Sequence, residues 1–173
     1  MGMTIFITGG ARSGKSRLAE ELARGYGAPL GYLATGRAGD AEMAERIARH
    51  QARRGPVWRT IEEPLDLAGA IHALEGNVNA ILVDCITLWL TNLLLQRENA
   101  ATILGEVASL AKLMAGLSIP LILVSNEVGM GVVPDNVLAR AFRDLAGEAN
   151  EMLARAADEV YVVISGLPMK LKG

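Results

Sequence analysis

An α/β fold, built on a mainly parallel sheet with helices on both faces, is what this sequence predicts, and three observations carry the prediction. Short apolar runs that read as strands alternate along the chain with longer runs of helical period. The strand runs (IFIT, LGYLA, AILVD, PLILVS) are continuously apolar rather than alternating, as in strands covered on both sides. The first of them leads through GGARSGKS into a helix, the strand–loop–helix order of a phosphate-binding loop.

That opening segment organises the rest. Thr4 to Thr8 reads as a strand, and Leu18, Ala19 and Leu22 share one face of the helix that runs to Ala23. Between them Gly9, Gly10, Ala11, Arg12, Ser13, Gly14, Lys15 and Ser16 satisfy G-x-x-x-x-G-K-S. The glycines let the backbone curl so that successive N–H groups converge on an anion, and the helix adds its positive N-terminal end. Lys15 can reach the outer phosphates, and the Ser16 hydroxyl can take one site on Mg2+. A plain glycine turn would not need this order of elements, so the chain is predicted to bind a nucleoside triphosphate as a P-loop NTPase.

The elements follow in order. Gly25 to Pro29 break the first helix, and Leu30 to Ala34 reads as the second strand, ending in a loop Thr35–Gly39. Asp40 can cap a helix from Ala41 to about Arg54, which Gly55-Pro56 stops. Val57 to Ile61 reads as a strand closed by Glu62-Glu63-Pro64, and a helix from about Leu65 to Leu74 leads to the strand Ala80–Asp84. Two helical patterns follow, about Leu88–Leu95 and Thr102–Leu117, then the strand Pro120–Ser125 and the loop Asn126–Pro134. A long helix, about Val137–Ala157, precedes a final strand, Glu159–Ser165. Ligands of parallel sheets collect at the C-terminal strand ends, so the loops after Thr8, Ala34, Asp84 and Ser125 should face one another.

Composition bounds the setting. At 173 residues the chain reads as one domain, residues 1–173, with length enough for a single core. Half of it is apolar and its formal charge is −2, which gives no electrostatic case for nucleic acid. The one cysteine, Cys85, excludes an internal disulfide and fits a reducing cytoplasm. No secretory leader and no run of about 18 apolar residues is visible, so no integral membrane segment is expected.

Four further positions carry possible chemistry. Asp84 ends the run ILVD; alone it would be an ordinary strand terminator, but beside a phosphate loop it reads as the second acid that holds Mg2+ directly or through water. His50 falls at the border of the apolar face of the Ala41–Arg54 helix, with Arg46 one turn before it and Arg53 nearly one turn after. A packed border histidine accounts for this spacing; so does a neutral imidazole that attacks a polyphosphate held by the arginines. His72 has no comparable neighbours and reads as structural. Glu62 and Glu63 are either solvated carboxylates or include one that pairs with guanine N1 and N2. Asn126 and Glu127 can touch substrate or Mg2+, and Trp58 and Trp89 read as core or interface aromatics.

Taken together, GGARSGKS, the ATG at Ala34, EMAERIARHQ around His50, WRT at Trp58, DCITLWLTNLL from Asp84 and SNEVGMGVVP from Ser125 stand in an order that resembles the bifunctional adenosylcobinamide kinase / adenosylcobinamide-phosphate guanylyltransferase family of cobalamin biosynthesis. The resemblance covers nearly the whole chain, to VVISG near its end. It implies a RecA-like fold, homotrimers and two reactions. One is phosphorylation of adenosylcobinamide with ATP or GTP; the other transfers GMP from GTP to adenosylcobinamide phosphate, releasing pyrophosphate. It places the guanylylated histidine on His50 and nucleotide contacts on Gly9–Ser16, on Ala34, Thr35 and Gly36, on Gln51, Ala52, Arg53 and Arg54, and on Glu62 and Asp84. Members often carry two adjacent histidines where this chain has Arg49-His50; the second matches the nucleophile.

Two other readings compete. A plain small-molecule or nucleoside-monophosphate kinase needs the phosphate loop but gives His50 and NEVGMG no role. A nucleotide-gated switch of the guanine-binding kind would carry N-K-x-D, whereas Asn126 is followed by Glu-Val-Gly.

Overall fold

The computed structural model describes residues 2–36, 55–96 and 99–173. Within them seven strands form one sheet: β1 (Thr4–Gly9), β2 (Leu30–Ala34), β3 (Trp58–Glu62), β4 (Ala80–Asp84), β5 (Leu121–Val124), β6 (Glu159–Ile164) and β7 (Leu167–Lys172). Their order across the sheet is β3-β2-β4-β5-β1-β6-β7, and every pairing is parallel except β6 with β7. The helices are α1 (Lys15–Arg24), α2 (Leu67–Leu74), α3 (Ile86–Leu95), α4 (Ala100–Met114) and α5 (Val137–Ala156).

The apolar runs become the strands because both faces of the sheet are covered. Phe6, Leu33, Ile81, Val83, Leu121 and Leu123 point into one core with α2, α3, α4 and α5. Ile5, Ile7, Leu30, Tyr32, Leu82, Ile122 and Val124 point the other way, onto Ala19 and Ala23 of α1. Small residues at the α1 contact let the helix sit close to the strands that frame its phosphate loop. Each fully buried Leu or Ile contributes about 1.5–3 kcal/mol by leaving water. Among the described residues four helices cover one face and α1 the other, so the two faces are unequally covered.

Helix starts follow side-chain caps. Asp66 accepts from the Gly69 N–H at α2, Asn99 from Thr102 at α4 and Asn136 from Ala139 at α5. The Asn99 cap explains why α4 begins at Ala100, earlier than the apolar period suggests. At the opposite edge of the sheet, Asp158 accepts from both the backbone N–H and the hydroxyl of Thr4, at 2.7 and 2.8 Å, tying the start of β1 to the start of β6.

The strand β7 is an addition to the expected topology. Ser165 and Gly166 both have positive φ, 52° and 84°, so they form a two-residue hairpin turn that folds the C-terminal residues back on β6. The Ser-Gly pair and the alternation of Leu167, Met169 and Leu171 with Lys170 and Lys172 were the available signals. Pro168 obscured them, and an exposed edge strand is where a proline is tolerated.

Candidate nucleotide site

The phosphate loop is shaped by residues within a few positions of one another. Gly9 has φ 148° and Gly14 φ 102°, in the region that favours glycine, and a Cβ at Gly9 would also run into the Val163 carbonyl of β6. Arg12 takes φ 56° between them. Lys15 is 6% exposed, and its ammonium donates to the Gly10 carbonyl at 2.6 Å, closing the loop on itself. The loop is also gripped from outside: the Gly166 N–H donates to Ser13 O at 2.9 Å and the Glu127 N–H to Gly9 O at 3.0 Å.

Two features suit this loop to an anion. The N-terminus of α1 has no side-chain cap and no acid in its first turn, so its N–H groups and positive end are left for a ligand. The buried hydroxyls of Thr8 and Ser13 have no hydrogen-bond partner among the described residues. An anion that accepts from several donors at once would satisfy the N–H groups at the start of the helix.

Asp84 stands at the end of β4, two strands from β1 with β5 between them. Adjacent strands lie about 4.8 Å apart, so roughly 10 Å separates the two strand axes, room for phosphates and an ion. Because side chains alternate along a strand, Asp84 shares a face with Ala80 and Leu82, which pack in the α1 core. It therefore projects on the side of the sheet that carries Ser16. Its Oδ2 accepts from the Tyr32 hydroxyl at 2.7 Å.

The corner behind Asp84 is assembled from several elements. Buried Thr35 donates its hydroxyl to Cys85 O at 2.7 Å and accepts from Cys85 N at 2.8 Å. Its side chain is thus a backbone brace, and contact with a nucleotide would fall to its main chain and to Ala34 and Gly36. Asn92 of α3 donates to Thr35 O and Pro64 O, joining the loops after β2 and β3. Asn126 donates to the Thr87 hydroxyl at 2.8 Å and approaches Cys85 Sγ at 3.3 Å, while its own carbonyl accepts from Asn150 of α5. Burial, and then the Asp84 charge, push the Cys85 thiol up from its ordinary value.

The described residues sort the remaining candidates. Glu63 accepts from the Leu65 and Asp66 N–H groups and is spent on the start of α2. Glu62, exposed at the end of β3 beside Ala34, is the carboxylate of the pair left for a ligand. Glu127 accepts from the Gly129 N–H at 2.6 Å, which shapes its loop. His72 lies on α2 beside Glu75, which accepts from Ser118 ahead of β5; that is the edge of the sheet opposite the phosphate loop. Trp89 is core, with its indole N–H on Leu65 O. His50, Gln51, Ala52, Arg53 and Arg54 lie outside the described residues. The sequence reading missed Tyr32, Asn92 and Asn150. Asn150, a polar residue among Leu145, Ala146, Ala149 and Leu153 on the buried face of α5, was the one with a legible signal.

The donor chemistry fits Mg2+. Ser16 and Asp84 offer hard oxygens, and no group of three or more His, Cys, Asp or Glu side chains occurs among the described residues. Mg2+ is commonly held by one or two protein oxygens plus phosphates and water, not by an all-protein cage. No helix among the described residues is long and apolar enough to cross a membrane.

Comparison with known proteins bears on the family and the fold. The family model for cobinamide kinase / cobinamide phosphate guanyltransferase matches residues 5–171. The bifunctional adenosylcobalamin biosynthesis protein CobP of Pseudomonas aeruginosa is 48% identical over 99% of this chain and 98% of its own length. CobU of Escherichia coli K12, described in the same words, is 42% identical over 98% of this chain and all of its own. Among solved structures, the RadB recombinase superposes with a TM-score of 0.54 at 16% identity, covering 93% of this chain and 74% of that one. That likeness is of fold alone, a RecA-like P-loop architecture. With a phosphate loop, an acid on its face of the sheet and relatives alike from end to end, the chain belongs to the cobinamide kinase / cobinamide phosphate guanyltransferase family.

Proposed function

We propose that this chain is a bifunctional enzyme of cobalamin biosynthesis, phosphorylating adenosylcobinamide and then transferring GMP from GTP to the phosphate it has made. The family match carries the pair of activities. The observation that carries the site is the uncapped, acid-free start of α1 behind a loop closed by Lys15. In the first reaction the hydroxyl of the aminopropanol arm attacks the γ-phosphorus of ATP or GTP, its bond to the β-phosphate oxygen breaks, and a nucleoside diphosphate leaves. The loop N–H groups and α1 hold the phosphates, and Lys15 turns from Gly10 O to the outer oxygens as charge builds there. Mg2+ on Ser16 and Asp84 would add positive charge at the same oxygens.

In the second reaction an imidazole nitrogen of His50 attacks the α-phosphorus of GTP, and pyrophosphate leaves. An oxygen of adenosylcobinamide phosphate then attacks that phosphorus, the N–P bond breaks, and adenosyl-GDP-cobinamide forms with His50 restored. Glu62 is suited to pair with guanine, while Gln51, Ala52, Arg53 and Arg54 carry the remaining nucleotide contacts on the His50 segment. The same reading makes the protein a cytoplasmic homotrimer.

The test is incubation with α-labelled GTP. Label should remain on the native protein, acid-labile and alkali-stable as an N–P bond is, and be absent from folded His50→Ala, which should also make no GDP-cobinamide by mass. Cobinamide phosphorylation should survive in that variant. A folded His50→Ala that still becomes labelled overturns the histidine route, and a native protein that phosphorylates cobinamide but never retains label is a kinase only.

A further inference from the structure

We propose that Tyr32 is a positioning residue that orients the Asp84 carboxylate for the metal ion, an inference that rests on the reading of Asp84 as a Mg2+ group. The Tyr32 hydroxyl donates to Asp84 Oδ2 at 2.7 Å, which leaves Oδ1 as the oxygen open to an ion or its water. Tyr32 is 4% exposed in the middle of a buried strand, where a phenylalanine would fill the same space, so packing alone does not call for the hydroxyl. The ring is fixed by an edge-to-face contact with Trp58, centroids 5.9 Å apart at 86°.

The hydroxyl is aimed by strand register. On β2, Tyr32 lies two residues before Ala34, and Ala34 pairs with Asp84 on β4, so Tyr32 and Asp84 share one face of adjacent strands on a diagonal. A long phenol bridges that diagonal; a serine or threonine would fall short. The carboxylate thus has one oxygen tied to a rigid, buried donor, the arrangement in which partners behind a ligand set its orientation. A terminator aspartate needs no such donor, since water at the strand end would satisfy it.

The test is Mn2+ binding, followed by electron paramagnetic resonance, to protein saturated with a non-hydrolysable GTP analogue. Tyr32→Phe should raise the Mn2+ midpoint about tenfold while metal-free affinity for the analogue stays within about twofold and circular dichroism is unchanged. Asp84→Asn should raise the midpoint at least as much, and adding Tyr32→Phe to it should raise the metal midpoint little further, because the effect of Tyr32 on the metal runs through Asp84. Thermal melting gives a second readout: Tyr32→Phe should shrink the increment in melting temperature that metal adds to the nucleotide complex, whatever it does to the free protein. An unshifted Tyr32→Phe beside a shifted Asp84→Asn overturns the role of Tyr32 alone. An unshifted Asp84→Asn overturns the metal role of Asp84 itself. Full additivity in the double variant shows that Tyr32 acts elsewhere and also overturns the proposal.

Discussion

The phosphate loop and the Asp84 corner occupy nearby strand ends and are built in opposite ways. The loop makes most of its own shape: Lys15 reaches back five residues to Gly10, the Ser13 N–H reaches Gly10 O, and Leu18 reaches Gly14, with two backbone bonds from Gly166 and Glu127 holding it from outside. The corner borrows its shape. Tyr32 comes to Asp84 from 52 residues away, Thr35 to Cys85 from 50, Asn126 to Thr87 from 39 and Asn92 to Thr35 from 57. A largely self-made loop presents backbone donors with little help from distant segments. A borrowed corner presents its carboxylate correctly only when three strands keep register.

The two constructions should fail differently. Removing the charge from the loop should strike chemistry and spare the fold, because most of what holds the loop is backbone. Lys15→Ala is expected to slow both triphosphate reactions about a hundredfold, roughly 3 kcal/mol of transition-state stabilisation, with an unchanged urea midpoint. Near-normal rates in a folded variant would make the loop structural and erase the contrast.

Removing a brace from the corner should strike the fold itself. Thr35→Val keeps the shape of the side chain but leaves the buried N–H of Cys85 without its acceptor, while the Cys85 C=O keeps only the bond from the Trp89 N–H. The expected loss is about 1–3 kcal/mol of unfolding free energy, read from urea denaturation. A loss under about 0.5 kcal/mol would mean that solvent or backbone replaces the hydroxyl, and that the corner is less interdependent than its bonds suggest.

The opposite edge of the sheet supplies the smallest effect and a control for both. Bonds from the Thr4 backbone, then from its hydroxyl, hold the Asp158 carboxyl below its usual range. A carboxyl lowered on folding stabilises above its unfolded pKa, and the contribution fades as pH falls through the lowered folded value. Because Asp158 is exposed and screened, Asp158→Asn should cost less than about 1 kcal/mol at neutral pH. It should flatten the acid limb of stability below about pH 4 and leave both activities unchanged. A catalytic effect would show that strand ends communicate through β1.

Local chemistry explains what was legible. G-x-x-x-x-G-K-S, the apolar strand runs and the helix periods each express a physical requirement met within a dozen residues, so fold class, the strand–loop–helix at the start and most element boundaries followed from the chain read in order. The hairpin to β7 was equally local and was obscured only by Pro168. The Asp84 corner was not legible in that way. Tyr32 sits in a run of apolar residues and reads as core, and nothing near it says that its hydroxyl meets a carboxylate.

By itself, then, the sequence determined which segments had to be buried and through its motif order which family the chain resembles, and it singled out the loop expected to bind phosphate. Tertiary structure alone decided that Glu63 is consumed at the start of α2 while Glu62 stays open, and that His72 faces the wrong edge. It also decided that Thr35 braces a backbone and Tyr32 holds Asp84. The reason is the pairing register of β2 with β4, which matches Ala34 to Asp84 and fixes every diagonal around them; register depends on how two distant segments bury their faces together, and neither segment contains it alone.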